Sequence, residues 1–206
     1  MTLTFDAERH QDYVDDKPVP SVTQIVAPLG TGYDAPDEDL LELTYEAAAE
    51  RGTVLHAYIQ HRLPGGEPED FELPAMYAGF ADAVELFLAE HEIVPFAVEM
   101  PLGSVQLAGT PDLTCEFDGK NSILDWKFVA SIEKSKVAAQ LGGYRWLCEL
   151  NGYTPDALYA VQFSKDGTYR LYPVDEEFAR AAFSACWEAW TLKTHKHPRG
   201  KIGGVI

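Results

Sequence analysis

Two aspartates and a lysine define the chemistry within reach of this chain. Asp112 follows Pro111 in Gly109-Thr-Pro-Asp112, and Asp125-Trp-Lys127 lies thirteen positions further on. Residues 113–117 and 123–128 both read as strands, and Asp118-Gly119 between them signals a tight hairpin turn. Side chains alternate across a strand, so Asp125 and Lys127 emerge on one face and Trp126 on the other. A hairpin that set Asp112 beside the start of the second strand would gather two carboxylates and an ammonium at one sheet end. Such a set suits a hard cation, since Mg²⁺ takes one or two carboxylates with waters and phosphate oxygens. A lysine beside it can orient or deprotonate a water. The alternatives are an ion pair on an edge strand for Asp125 and Lys127, and a turn cap for Asp112.

Pro111-Asp112 and Asp125-x-Lys127 resemble the PD-(D/E)xK nuclease superfamily. Arg51-Gly-Thr-Val-Leu-His56 upstream and Gln140-Leu-Gly-Gly-Tyr144 downstream make the resemblance that of its RecB-like, phage-exonuclease branch, over roughly residues 56–144. Val19-Pro-Ser-Val-Thr23 is similar to the opening of phage members. The resemblance implies an α/β (α+β) fold with a restriction-endonuclease-like core, a central mixed β-sheet flanked by helices in the order αβββαβ. It implies Mg²⁺ or Mn²⁺ held by His56, Asp112, Asp125 and the Trp126 backbone carbonyl, with Glu99 near the metal. Asp112, Asp125 and Lys127 are then the catalytic set, and Gln140, Tyr144 and Arg145 bind substrate. The implied activity is hydrolysis of DNA phosphodiester bonds by an exonuclease of recombination, repair or phage DNA metabolism. An endonuclease of the same fold, a silent nuclease-fold module that binds nucleic acid or protein, and a phosphodiesterase with another substrate are the alternatives.

The elements that must position these residues are legible from periodicity. Residues 39–61 are Ala- and Glu-rich and read as a helix, with Gly52 and His56 one turn apart and His61 in solvent. Residues 74–90 form a second helix with Met76, Phe80, Ala83, Phe87 and His91 as its buried stripe, leaving Glu85 in solvent. Phe96, Val98, Met100 and Leu102 alternate with Ala97 and Glu99 as the buried face of a strand. Residues 133–150 form a third helix, whose inward stripe Val137, Gln140, Leu141, Tyr144, Leu147 and Cys148 contains a glutamine. An inward amide left unpaired costs about 1–3 kcal/mol, so Gln140 needs partners in the core or the site. Gly142-Gly143 in mid-helix costs roughly 2 kcal/mol against alanines, which implies close packing or a close approach of substrate.

Further elements flank this set. Residues 157–163 and 168–172 form another hairpin, and Asp175 caps a last helix whose Phe178, Phe183, Trp187 and Trp190 face the core. At the other end residues 2–14 are extended, 17–20 form a rigid turn, and Ser21 caps a short helix ending near Pro28. Residues 30–39 read as a loop and the tail beyond Pro198 as flexible. One domain over residues 1–206 is expected, with an extension to 38, a core over 39–173, and a C-terminal helix and basic tail from 174.

Composition sets the outer limits. Hydrophobic residues make up 46% of the chain, and no apolar run is long enough to span a membrane. The N-terminus lacks a basic segment followed by an apolar one, so a cytoplasmic protein without a membrane partner is expected. Cys115, Cys148 and Cys186 have neither paired nor metal-ligand spacing and read as reduced core residues. They cannot build the four-cysteine iron-sulfur cluster of some relatives, so none is expected. The net charge of −17 runs against binding DNA, because nucleic-acid sites usually present a basic footprint. Local cations offset it: Lys134, Lys136, Arg145 and the segment 195–201, with a bound cation adding to them. A basic protein partner or a homo-oligomer would also account for the acidity.

Overall fold

The computed structural model describes residues 1–9, 11–29, 38–63 and 65–194, with the backbone alone for 38–46. Of the loop expected over 30–39, residues 30–37 lie outside the described residues, as does the basic tail from 195, and 38–39 already belong to a helix. Three short strands, β1 (Leu3–Asp6), β2 (Gln11–Val14) and β3 (Lys17–Val19), form an antiparallel sheet. The turn between β2 and β3 is Asp15-Asp16, both at positive φ (48° and 62°), so residues 17–19 are a strand and not the expected turn. Ser21 caps α1 (Val22–Val26) in a reciprocal box with Gln24, each side chain accepting the other's backbone N–H at 3.1 Å.

A long helix, α2 (Glu38–Arg62), follows, and then α3 (Ala78–Glu90). The chain enters α3 through a 3₁₀ turn, Ala75–Tyr77, which turns Met76 outward. Ala83 and Phe87 are buried and Phe80 packs against the core as expected, joined by Tyr77, Ala81 and Val84, while Met76 is 77% exposed instead of belonging to the core. Beyond lie β4 (Ile93–Val98), the two-residue pair β5 (Leu102–Gly103) and β6 (Ala108–Gly109), then β7 (Leu113–Phe117) and β8 (Lys120–Lys127). Asp118 and Gly119, at φ 47° and 79°, make the two-residue turn with both residues left-handed that this hairpin requires. Next come α4 (Lys134–Leu150), β9 (Ala157–Phe163), β10 (Tyr169–Val174) and α5 (Glu176–Thr194).

The main sheet has the order β10-β9-β8-β7-β4, with β8 and β9 parallel and the other pairs antiparallel. α3, β4, β7, β8, α4 and β9 give the expected order αβββαβ, interrupted by β5 and β6. This is a mixed α/β fold, a central mixed sheet flanked by helices. β8 is its central strand, which removes the edge-strand alternative for Asp125 and Lys127. Ile123 of β8 joins the core beneath α1, α4 and α5, whereas Leu124, Trp126 and Phe128 join the core beneath α2 and α3. Asp125 therefore points into an apolar layer and not onto a polar surface.

The glycine pair in α4 serves close packing. A Cβ on Gly142 would lie 2.2 Å from the Ala179 carbonyl oxygen of α5, and one on Gly143 would lie 2.7 Å from Phe183. Burial pushes the thiols of Cys115 and Cys148 up to about 12, and all three cysteines are free and buried. Among the described residues no helix is long and apolar enough to cross a membrane.

Candidate functional site

Hairpin register builds the centre of the site. Leu113 pairs with Leu124, so Asp112 lies at the end of β8 near Asp125, not at the start of that strand. Its Oδ2 accepts the Trp126 N–H at 2.7 Å. The contact seen at Trp126 is thus through its N–H, and the carbonyl's role as a ligand stays an expectation. Asp125 is fully buried. Its Oδ2 lies 2.6 Å from the Lys127 ammonium, and its Oδ1 has no hydrogen-bond partner. Burying an ionised carboxylate costs several kcal/mol even when it is paired. A position that only served packing would not carry that cost.

Two residues from other elements gather beside Asp112 as groups that could hold a metal ion. His56 Nδ1 lies 2.8 Å from Glu99 Oε1 and 3.7 Å from Asp112 Oδ1. One ligand atom from each of His56, Glu99 and Asp112 lies within 4.8 Å of the others. The Phe128 ring stands edge-on to His56 at 5.6 Å. Glu99 arrives by a different route from the one its alternation implied. A bulge between Pro95 and Ala97 shifts the register of β4, which ends at Val98, and leaves Phe96 and Met100 about half exposed instead of buried. Glu99 itself has φ 43°, its N–H bonded to the Asp112 carbonyl at 2.9 Å. A glutamate held there costs on the order of 1–3 kcal/mol, and such outliers cluster at functional sites.

On the other side of the sheet α4 supplies a polar line. Lys127 donates to Gln140 Oε1 at 3.1 Å, and Gln140 donates to the Tyr144 hydroxyl at 2.9 Å. The inward glutamine is satisfied by these groups. Arg145 is not brought to them. It is buried, donating to the Pro155 carbonyl at 2.7 Å and pairing with Glu149 and Glu176 at 2.9 and 2.8 Å, so it clamps α4 to α5. Lys134 lines a different cleft, together with Tyr172 and Asp175.

Two residues expected in solvent are engaged. Glu85 holds Arg62 at 2.7 Å and accepts from Tyr58 at 2.6 Å, fastening α3 to α2. His61 donates to the Glu67 carbonyl at 2.9 Å. One residue had no role assigned from the sequence: Arg51 donates to the Phe128 carbonyl at 3.0 Å with its guanidinium over Phe80, tying α2 to the end of β8. Its place in the Arg-Gly-x-x-x-His motif was the available signal.

Charges at the site are strongly coupled. Burial, and then the neighbouring Asp125 charge, raise the Asp112 carboxyl to about 7. Burial opposes protonation of His56, but the Glu99 hydrogen bond and the Asp112 and Asp125 charges outweigh it and raise its pKa. Burial likewise opposes the Lys127 ammonium, and the carboxylates of Asp125 and Asp112 outweigh it, so that group too is raised. Burial and the two aspartates push the Tyr144 hydroxyl well above its ordinary value. Oxygen and imidazole donors, an unpartnered buried carboxylate oxygen and mutually repelling acids together fit a hard divalent cation.

No family model matches the chain, and no curated protein matches it. Solved structures do. The crystal structure of SSO0001 is 16% identical over 89% of this chain and 80% of that one, with a TM-score of 0.48. The alkaline exonuclease LHK-Exo from Laribacter hongkongensis is 13% identical over 84% of this chain and 88% of its own, with a TM-score of 0.39. Its complex with dAMP is 13% identical over 85% and 89%, with a TM-score of 0.36. These are distant likenesses of overall shape, and the site rests on this chain's own residues.

Proposed function

We propose that this chain is a divalent-metal-dependent deoxyribonuclease that hydrolyses phosphodiester bonds, acting as an exonuclease in recombination, repair or phage DNA metabolism. The observation that carries the reading is the meeting of His56, Glu99 and Asp112, their ligand atoms within 4.8 Å, beside the buried Asp125–Lys127 pair. His56, Asp112, Asp125 and the Trp126 carbonyl would hold Mg²⁺ or Mn²⁺, with Glu99 as a further ligand. A bound ion would lend positive charge to the scissile phosphate and make a water easier to deprotonate.

The chain's own groups divide the remaining work. Lys127, whose raised pKa keeps it an ammonium, orients the attacking water and stabilises the charge that develops on phosphate. Asp125 fixes that ammonium in place. Gln140 holds Lys127 from the α4 side and passes its orientation to Tyr144, which faces the substrate. His56 and Glu99 steady each other and keep Asp112 at the sheet end.

The test is incubation of linear and nicked circular DNA with Mg²⁺, Mn²⁺ or EDTA. Expected is metal-dependent loss of linear DNA, reduced about 100-fold or more in Lys127→Ala and Asp125→Asn. Cleavage that survives Lys127→Ala would overturn the site assignment, and loss of the nicked circle would make the enzyme an endonuclease. The acidic balance of the chain favours one second reading, a nuclease-fold module that binds without turnover. DNA binding with no degradation under either metal would select it.

A further inference from the structure

A cleft of about 360 Å³ extends from Lys127 away from the proposed metal ligands, between α1 and α4. Lys127, Ser131, Lys136 and Gln140 line it, with Thr23 on the α1 side. Lys136, Gln140 and Tyr144 are spaced at i, i+4 and i+8, so they share one face of α4 with about 6 Å of helix between successive members. Gln140 and Tyr144 are joined to each other and to Lys127. Lys136 is the remaining rung, and its ammonium has no hydrogen-bond or ion-pair partner among the described residues. Glu133, the acidic residue of the lining, has a partner of its own.

Two features of the local structure oppose a cation at that position, although Glu133 lies three residues before it in the same cleft. Lys136 lies in the first turn of α4, where the helix dipole disfavours positive charge. It also shares the cleft with a second ammonium, Lys127, in a chain with 33 acidic and only 16 basic residues to pair with them. An anion in the cleft relieves both penalties.

We infer that this cleft is an anion subsite for a phosphodiester of the substrate strand next to the one cleaved, with Lys136 as its cationic contact. The inference rests on the proposed nuclease reading. A phosphate contact carries no base information, so Lys136 contributes affinity and salt dependence but not sequence preference. Lys134 is the internal control, two residues away on the same helix and lining a different cleft.

The experiment measures binding of labelled oligonucleotides to the full chain in Ca²⁺ and steady-state cleavage in Mg²⁺, each across a salt series. For Lys136→Gln we expect roughly tenfold weaker binding and a matching rise in KM, with kcat within about twofold. The slope of log K against log salt should shrink by about 0.7–0.9. Lys136→Arg should restore binding and Lys134→Gln should match the parent. The melting temperature of Lys136→Gln should be unchanged or higher, because a cation leaves the helix N-terminus. An unchanged KM and salt slope in a parent chain that binds and cleaves DNA would overturn the subsite, as would a loss confined to kcat. A parent chain that binds no DNA overturns the nuclease reading instead. The cleft is then judged with inorganic phosphate: binding lost in Lys136→Gln retains the anion subsite, and no binding removes it.

Discussion

Glu99 is the residue at which local conformation and chemistry conflict most openly. Its φ of 43° suits glycine, yet its carboxylate completes the cluster with His56 and Asp112. Both Glu99→Ala and Glu99→Gly remove the carboxylate, but only glycine is at ease in the left-handed region. Chemical denaturation should therefore find Glu99→Gly about 1 kcal/mol more stable than Glu99→Ala, with both impaired in metal-dependent activity. Equal stabilities would mean that the backbone there is not strained. Legibility at this scale depended on range. Asp112, Asp125 and Lys127 could be read because Asp118-Gly119 dictates a two-residue turn, and the turn dictates who sits beside whom. Glu99 escaped the alternation rule because the bulge at Pro95 and the left-handed turn break the period on which that rule depends. The partners that hold Arg145 and Glu85 were only partly legible: Glu149 lies one turn from Arg145 on α4, but Glu176 and Arg62 come from segments whose proximity no local pattern encodes.

Among the elements, α4 serves two purposes along one length. Its Gly142-Gly143 side lies against α5, and its Gln140-Tyr144 side faces the end of β8. Gly142→Ala places a methyl 2.2 Å from a backbone carbonyl and should destabilise the fold by about 1–3 kcal/mol. Gly52→Ala is the opposite case, with nothing within 4 Å of the added Cβ, and should stabilise α2 by up to about 1 kcal/mol. Thermal unfolding of the two variants separates a glycine required by packing from one that packing does not require. The sequence pattern located these helices because their period is local. It misplaced Met76 because the 3₁₀ turn at Ala75–Tyr77 changes the phase before α3 begins, and it missed β1–β3 as a sheet because short, half-exposed strands alternate weakly.

Across the whole molecule, acidity and function meet at Asp112. Its carboxyl, raised to about 7, carries a proton in the folded chain at pH values where an unfolded aspartate, with a pKa near 4, has already lost it. The raised pKa of His56 acts in the same sense. Folded protein thus binds more protons than unfolded, and metal-free stability should fall as pH rises from about 4 through 7, with His56 extending the fall above pH 6.5. Divalent cations should recover stability at the upper end and release protons on binding near pH 6 but few above pH 8. Melting curves with EDTA or Mg²⁺ and titration calorimetry in two buffers check both effects, and a metal-free melting temperature that rises over this range would exclude a protonated Asp112. The position of β8 has a further consequence. Flanked by β7 and β9, it is shielded from local fraying, so Asp125 and Lys127 lie where amide exchange requires the deepest opening. Glu99 follows the edge strand β4, where opening is cheapest. A cation gripping residues from both would lace the outer margin of the sheet to its axis, and chelation would loosen that margin first while the centre stayed shut.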